Sequence, residues 1–418
     1  MAAAERNLDL VLHGATGFTG RLVAEYLLQR YGGPGESLRW ALSGRSREKL
    51  ERVRDELGRE TGVAGAKELP LVVADAADAA AMEVMAARTR VVCTTVGPYA
   101  KYGSKLVAAC AASGTHYCDL TGEVHWMRRM IDAHREAAEA SGARIVHTCG
   151  FDSIPSDLGV LFVQREMRIR HDAVSPHVKL RVKGASGGMS GGTAASMLNM
   201  LEEAQRDPSV RRAVADPYAL NPEGERTGPD GPDPRSPAWD EDFDSWTAPF
   251  LMGAINTRIV RRTNALREWA YGRDFRYDEA MLTGSGPAGW AKAAGISAGT
   301  GAVMAAGTLG PLRALLGRAL PKPGEGPSRE AREKGYFDLR LLALHPTDPG
   351  KNVRARVTGD RDPGYGSTAK MLAESAVCLA KDVLPVGGGF WTPASAMGEA
   401  LLDRLQAHAG LVFAVESR

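Results

Sequence analysis

The chain has 418 residues, 44% of them hydrophobic and 24% charged, with 52 Lys and Arg against 50 Asp and Glu. That length exceeds one compact core and fits two domains, and the apolar share excludes global disorder. A net charge of +2 with no basic block gives no nucleic-acid footprint.

Residues 8–13 form an apolar, β-prone run that breaks into glycines, which predicts a strand. A helix is predicted over 19–30, with Leu22, Val23, Tyr26 and Leu27 on one face. Further strands are predicted at 39–43, 69–74, 91–96, 116–119 and 143–149. Helices are predicted between them at 46–57, 77–87, 105–112 and 126–141. Strands alternating with helices at this rhythm mean βαβ units, a parallel sheet and right-handed crossovers. The fold class expected is therefore α/β, a Rossmann-type doubly wound sheet with a second α/β or α+β domain.

After Gly150 the rhythm changes. A strand is predicted over 178–183, a glycine-rich loop over 184–192 and a helix over 193–205. Segment 221–246 is rich in Pro, Gly and Asp and reads as a long exposed loop or partly disordered lid. Runs 336–345 and 352–358 predict an antiparallel pair, 367–384 a long helix, 393–405 another helix and 411–415 a last strand. The domains expected are a cofactor domain over 1–155 and a substrate or oligomerisation domain over 156–389. The segment 390–418 is expected to return to the first domain.

Cys93, Cys110, Cys118, Cys149 and Cys378 are odd in number and irregularly spaced, which argues against a disulfide framework. No CxxC pair and no HExxH occurs, so no metal site is expected. Residues 1–9 lack an apolar core behind a basic flank, so no signal peptide is expected and the compartment expected is the cytoplasm.

The strongest chemistry lies where the first strand ends, in Gly14-Ala15-Thr16-Gly17-Phe18-Thr19-Gly20. Gly14 permits the tight turn, Gly17 lets backbone amides approach a pyrophosphate, and Gly20 lets the helix pack closely on the sheet. The helix N-terminus adds free N–H groups and a positive dipole end. A glycine turn without a ligand is the bland alternative.

The second strand ends in Ser43-Gly44-Arg45-Ser46-Arg47, with no acid before Glu48. NAD enzymes place an acid there for the ribose 2′-hydroxyl. Arg45 can instead pair with a 2′-phosphate and Ser46 can donate to it, which favours NADP(H). The alternative is that Arg45 and Arg47 are solvated first-turn residues. Asp75, ending the third strand, reads equally as an adenine contact or a helix N-cap. Val96, Gly97, Pro98 and Tyr99 end the fourth strand near the expected nicotinamide ribose, although Tyr99 fits a core role as well. Gly122 and Glu123 follow the fifth strand on the nicotinamide side. None of the ten tyrosines has a lysine four positions on, which disfavours the short-chain dehydrogenase mechanism. Asp152 and Ser153, after the sixth strand, are the remaining candidates to position substrate or relay a proton, with Tyr99 a third. Against them, Pro155, Ser156 and Asp157 suit a helix start.

These stretches, in order and spacing, resemble the saccharopine dehydrogenase-like oxidoreductase family. They are joined by Asp119-Leu120-Thr121-Gly122-Glu123, Gly150-Phe151-Asp152-Ser153-Ile154-Pro155-Ser156-Asp157 and Asn256-Thr257-Arg258-Ile259-Val260-Arg261-Arg262. Pro321-Lys322-Pro323-Gly324-Glu325-Gly326-Pro327-Ser328-Arg329 and Thr392-Pro393-Ala394-Ser395-Ala396-Met397-Gly398 carry the resemblance almost to the end. Within that family the chain resembles the trans-acting enoyl reductases of mycobacteria, which work beside polyketide synthases in lipid assembly. The resemblance implies a Rossmann domain, NADPH as cofactor, and an enoyl or carbonyl group on a lipid- or polyketide-type acyl chain, carrier-bound or free, as substrate. Residues that bind substrate in lysine-pathway saccharopine enzymes have no counterparts that can be matched over 160–390.

Segment 293–312 is twenty residues without a charge, but mostly Ala and Gly with Pro311 near its end. A buried or tunnel-lining helix is the plain reading. Peripheral contact with lipid is the sharper one, and a membrane span the weakest. A homodimer is a further option. Two other functions stand beside reduction of an acyl substrate: a lipid-surface scaffold that binds nucleotide with little turnover, and an amino-acid dehydrogenase of saccharopine type.

Overall fold

The computed structural model describes residues 6–35, 37–187, 191–308, 310–319, 322 and 324–416. Residues 1–5 of the N-terminal stretch, 188–190 of the glycine-rich loop, Leu309 of the apolar segment, and Pro321 and Pro323 of the proline motif lie outside the described residues.

The strands, in chain order, are β1 (Leu8–His13), β2 (Trp40–Gly44), β3 (Leu71–Val73), β4 (Thr89–Thr94), β5 (His116–Cys118) and β6 (Arg144–Val146). After them come β7 (His177–Ser186), β8 (Ala238–Asp240), β9 (Ser245–Pro249), β10 (Arg276–Gly284), β11 (Tyr336–Leu344), β12 (Val353–Gly359), β13 (Gly389–Trp391) and β14 (Leu411–Val415). They form two seven-stranded sheets.

The first sheet runs β13-β6-β5-β4-β1-β2-β3, all parallel. Successive residues of β1 point to opposite faces, Leu10 and Leu12 into one apolar cluster and Val11 between them into another. Both faces are thus covered, which is why the strand reads as a nearly unbroken apolar run. Its one charge, Asp9, is buried. Arg39 at 3.0 Å and Lys381 at 2.8 Å hold its carboxyl well below the usual range, against the opposing effect of burial. The strand order reverses beside β1, between β2 on one side and β4 on the other. A crevice opens at such a switch point, at the carboxyl ends of the strands.

The second sheet runs β14-β12-β11-β7-β10-β9-β8. Only β7 and β10 are parallel neighbours. The pair read from the sequence, β11 with β12, is antiparallel with Leu341 opposite Ala355. Helix Ile154–His171 leads from β6 across to this sheet, and helix Thr368–Lys381 returns to pack on the first helix and on β1, β4 and β5. Glu374 of that returning helix is fully buried and accepts from the hydroxyls of Tyr26 and Tyr31, each at 2.7 Å. The C-terminal stretch divides: β13 extends the first sheet beyond β6, whereas β14 pairs with β12 in the second.

Three expectations are corrected. The helix read over 393–405 is two helices, Pro393–Ala396 and Gly398–His408. The break lies at Gly398, whose φ of +46° is left-handed. Segment 221–246 is largely exposed but is not a free lid. Asp230 and Asp233 tie it at 2.6 and 2.7 Å to the buried Arg261 and Arg258, and it ends in the β8–β9 hairpin. The apolar segment is not the buried helix expected: it falls in helices Gly286–Thr308 and Gly310–Ala319, and Ala293 alone is buried among its described side chains. Among the described residues no helix is long and apolar enough to cross a membrane. The five cysteines are free and buried.

Candidate active site

The glycine turn stands at the head of the crevice. Gly14 has φ +93°, and a Cβ there would lie 2.7 Å from Thr95 Oγ1. The backbone of β4 approaches equally closely: Thr95 N–H donates to His13 O at 3.0 Å, and Thr95 Oγ1–H to Gly14 O at 3.3 Å. A Cβ on Gly20 would fall 2.1 Å from Gly14 O, so only glycine lets helix Phe18–Tyr31 sit this close to the turn. Thr16 and Gly17 are exposed, Phe18 and Thr19 half-buried, and Ala15 buried. Gly17 is the N-cap and supplies no side-chain acceptor, so the first N–H groups of the helix have no capping partner. That is a cradle for an anion. Beneath it His13 donates or accepts through Nδ1 with Ser43 Oγ at 3.0 Å, and burial lowers its pKa to about 4, keeping it neutral.

At the end of β2, Ser43 and Gly44 are buried and Arg45 is exposed. Arg45 forms no ion pair or hydrogen bond among the described residues, leaving its guanidinium available to a phosphate. Arg47, by contrast, faces Glu51 at 3.9 Å. Ser46 caps helix Arg47–Thr61, accepting from Lys49 N–H at 3.3 Å, and its own proton stays free to donate. Asp75 is exposed and accepts from Ala77 N–H at 2.9 Å. The N-cap of the following helix is Asp78, so the capping reading of Asp75 falls away. A free cation, a free hydroxyl and an uncapped helix end around one glycine turn fit a dinucleotide with a 2′-phosphate.

The loops after β4 and β5 are locked together. Glu123 is buried and accepts from Tyr99 N–H at 2.8 Å and Ala100 N–H at 2.9 Å. Burial raises its pKa despite these bonds. Glu123 therefore clamps the loop Val96–Gly97–Pro98 instead of facing the nicotinamide. Tyr99 is buried, donates to Thr94 O at 3.1 Å and accepts from Leu120 N–H at 3.4 Å. Burial takes its phenol well above the ordinary range. Its core role wins over the catalytic one. Val96 and Gly97 remain half-buried at the rim, with Pro98 buried behind them. Gly122 is packed against Ile255, whose Cδ1 would stand 2.7 Å from a Cβ there.

At the end of β6 the chain turns on Thr148, whose φ of +61° is rare for a β-branched residue and costs on the order of 1–3 kcal/mol. Thr148 N–H donates to Asp119 Oδ1 at 3.1 Å, and Asp119 also meets His147 Nδ1 at 2.7 Å and the Tyr117 hydroxyl at 2.8 Å. This buried knot fixes where the next turn begins. Phe151 N–H then donates to Thr368 Oγ1 at 3.0 Å. Asp152 is half-buried, and its carboxyl is pushed up to about 7, by burial first and by the Asp119 charge second. It can hold or release a proton near neutrality. Ser153 is fully buried and donates to Asn256 Oδ1 at 3.2 Å, so its hydroxyl is engaged inside the fold. Asn256 in turn donates to Glu279, which accepts from Tyr277. Sequence reasoning missed Asn256, Glu279 and Thr148. The only sequence signal was the unusual run of polar residues around Asn256. Ser156 is buried on the same helix, and Asp157 accepts from Thr263 Oγ1–H at 2.5 Å and Ala394 N–H at 2.8 Å, which makes it structural.

The second half of the chain reaches over this crevice. Phe18, in the glycine turn, meets Tyr365 edge-on at 5.3 Å and lies under Arg332 at 5.4 Å. A Cβ on Gly326 would strike the same ring at 2.4 Å, which accounts for glycine in the motif before Pro327. Ser196, on helix Gly191–Arg206, lies over the other end, its Oγ 3.4 Å from where a Gly97 Cβ would stand.

Comparison with known proteins bears on this geometry. The model of the saccharopine dehydrogenase NADP-binding domain matches residues 10–146. The trans-acting enoyl reductase of Mycobacterium tuberculosis is 44% identical over 423 residues, covering 97% of each chain. That of Mycobacterium ulcerans is 42% identical over 428 residues, again covering 97% of each. Saccharopine dehydrogenase (L-Glu forming) of Saccharomyces cerevisiae superposes with a TM-score of 0.53 over 98% of this chain and 99% of that one, at 11% identity, a likeness of fold alone. An NADP(H)-dependent oxidoreductase is what the parallel sheet, its glycine turn and the matched domain define. The chain belongs to the saccharopine dehydrogenase-like oxidoreductases, in the branch of the trans-acting enoyl reductases.

Proposed function

We propose that the protein reduces the carbon–carbon double bond of an enoyl group, or a carbonyl group, on a lipid- or polyketide-type acyl chain borne by a carrier protein. What carries this reading is identity of 42–44% with proteins named trans-acting enoyl reductase across 97% of the chain, second half included. The cofactor half alone would fit many substrates.

NADPH, when bound, supplies the hydride. In this proposal the uncapped N–H groups after Gly17 hold the pyrophosphate, with Gly14, Ala15, Thr16 and Gly20 giving it room. Arg45 and Ser46 hold the 2′-phosphate, and Asp75 approaches the adenine edge. Val96 and Gly97 leave space beside the nicotinamide ribose, in a loop that Glu123 and Tyr99 keep rigid, while Gly122 lets Ile255 pack against the neighbouring loop. Asp152 is the proton donor: a hydride arriving at the β-carbon leaves the α-carbon to be protonated, and a carboxyl that titrates near 7 suits that step. Phe18, Tyr365 and Arg332 exclude water from the pyrophosphate end.

The enzyme in this proposal is cytoplasmic and serves lipid biosynthesis. Trp290, Val303 and Leu312, exposed on the two helices after β10, offer a surface for peripheral lipid contact. The test is NADPH oxidation with an enoyl thioester and with a ketoacyl thioester, and NADP⁺ reduction with saccharopine. Turnover on an acyl thioester supports the proposal. Turnover on saccharopine alone favours an amino-acid dehydrogenase, and nucleotide binding without oxidation favours a scaffold.

A further inference from the structure

Helix Gly253–Leu266 buries three arginines from one short run, and two of them find carboxylates. Arg258 Nη1 meets Asp233 at 2.7 Å and Arg261 Nε meets Asp230 at 2.6 Å. Arg262 meets none among the described residues. It donates to two backbone carbonyls, those of Leu220 and Phe390, and is 4% exposed. Burial lowers its pKa to about 10, and Arg128 and Arg135 push the same way while Asp132 alone opposes them. At neutral pH the group is still charged, so a buried guanidinium sits without a counter-ion. Such a charge costs free energy unless an anion meets it.

The space that Arg262 faces is a cavity of about 390 Å³, also lined by Arg128, Arg135, Arg226 and Trp391. Arg128 and Arg226 share one carboxylate, Asp132, at 2.7 and 3.4 Å. Arg135 is exposed and has no ion-pair partner among the described residues. Glu139 and Glu223 line the cavity from exposed positions and form no ion pair among the described residues. Four guanidinium groups thus line one cavity against three carboxylates, of which Asp132 alone is engaged among the described residues, beside an indole ring. None of the residues assigned to the NADP(H) crevice lines this cavity.

We propose that this cavity is a second ligand site, separate from the NADP(H) crevice, for a small anion carrying phosphate or carboxylate groups. Arg262 forms its floor, and Arg128, Arg135 and Arg226 its walls. Guanidinium groups match both oxyanions with paired N–H donors, which is why the shared chemistry is named and not one compound. The volume admits an anion with a small organic body, and Trp391 gives that body a face to lie on.

The experiment is calorimetric titration of the full chain with inorganic phosphate and, separately, with citrate, at constant ionic strength set by chloride. Wild type, Arg45→Ala, Arg135→Gln and Arg262→Gln are compared. The proposal expects saturable binding of one anion per chain that survives in Arg45→Ala and weakens at least tenfold in Arg135→Gln, an exposed position that leaves the core intact. Arg262→Gln, where it folds, loses the binding. Phosphate binding over citrate, or the reverse, identifies the oxyanion. No saturable binding of either anion, or binding that persists in Arg135→Gln or disappears in Arg45→Ala, overturns the proposal.

Discussion

The carbonyl oxygen of Gly14 lies 2.1 Å from the place where a Cβ on Gly20 would stand. The two glycines therefore act as one unit: the first turns the chain out of β1, and the second lets the helix close over that turn. Gly20→Ala must push the helix off the turn and disturb the anion cradle, since the clash is with backbone. A loss of about 1–3 kcal/mol in stability is expected, as for other overpacked sites, together with weaker NADPH binding. Chemical denaturation and nucleotide titration measure both. An unchanged midpoint with unchanged affinity would show that the helix can move away freely.

Arg45 is expected to contribute to affinity for the 2′-phosphate and to nothing else. Arg45→Ala should weaken NADPH at least tenfold, about 1.4 kcal/mol or more, with NADH affinity unchanged and the melting temperature unaltered. Titration of both nucleotides with both proteins is the check. Equal loss for NADH and NADPH would move the 2′-phosphate contact elsewhere.

Asp152 gives the pH dependence a sign. As a proton donor it must be protonated, so turnover is highest below its pKa of about 7 and falls as pH rises through that value. Asp152→Asn should lower kcat by roughly 10²–10⁴ and flatten the profile, with NADPH affinity kept. A variant that keeps the wild-type profile would take the proton transfer away from this residue.

Asp157 gives a second pH effect, on stability. Burial raises its folded pKa to about 7 from 3.8, so the folded state holds its proton more tightly than the unfolded one. Its contribution is fully present below about pH 4 and is lost as pH rises to about 7. Relative to wild type, Asp157→Asn should therefore gain stability between pH 4 and pH 8. Urea midpoints across that range decide it, and a constant difference would mean that the carboxyl does not titrate there.

Asp230 holds the long exposed segment to the core. Asp230→Ala leaves Arg261 buried without its carboxylate, and a loss of about 3–5 kcal/mol is expected on that ground. Proteolysis should then cut within 221–246 first, whereas the wild type should resist there.

The Rossmann half was legible because its signals are local. An apolar run, a glycine turn and an amphipathic helix recur, and each closes its own βαβ unit. The glycine turn and Arg45 could be read for the same reason, since both lie within one strand-to-helix passage. The second half hid its central helix, Gly253–Leu266, because most of the residues it buries are polar: Asn256, Thr257, Arg258, Arg261, Arg262, Thr263 and Asn264 outnumber Ile259, Val260 and Ala265. A hydrophobic period cannot appear where ion pairs and hydrogen bonds fill the core. The partners, Asp230 and Asp233, lie in a segment whose composition says loop, and only the fold brings them together. Glu123 and Tyr99 misled for a related cause. Strand ends face the crevice on average, but hydrogen bonds to Tyr99 N–H, Ala100 N–H and Thr94 O turn these two side chains inward. The break at Gly398 escaped notice because the composition on either side of it favours helix.

The most direct test of the enzymatic reading follows the hydride itself. NADPH deuterated at C4 of the nicotinamide is incubated with the protein and an enoyl thioester on a carrier protein, and the product is weighed by mass spectrometry. A saturated acyl chain carrying one deuterium at the β-carbon is expected, formed mole for mole with NADP⁺ and slowed by the same roughly 10²–10⁴ with Asp152→Asn. A nucleotide that binds while the acyl chain stays unsaturated and unlabelled would contradict the enzymatic reading.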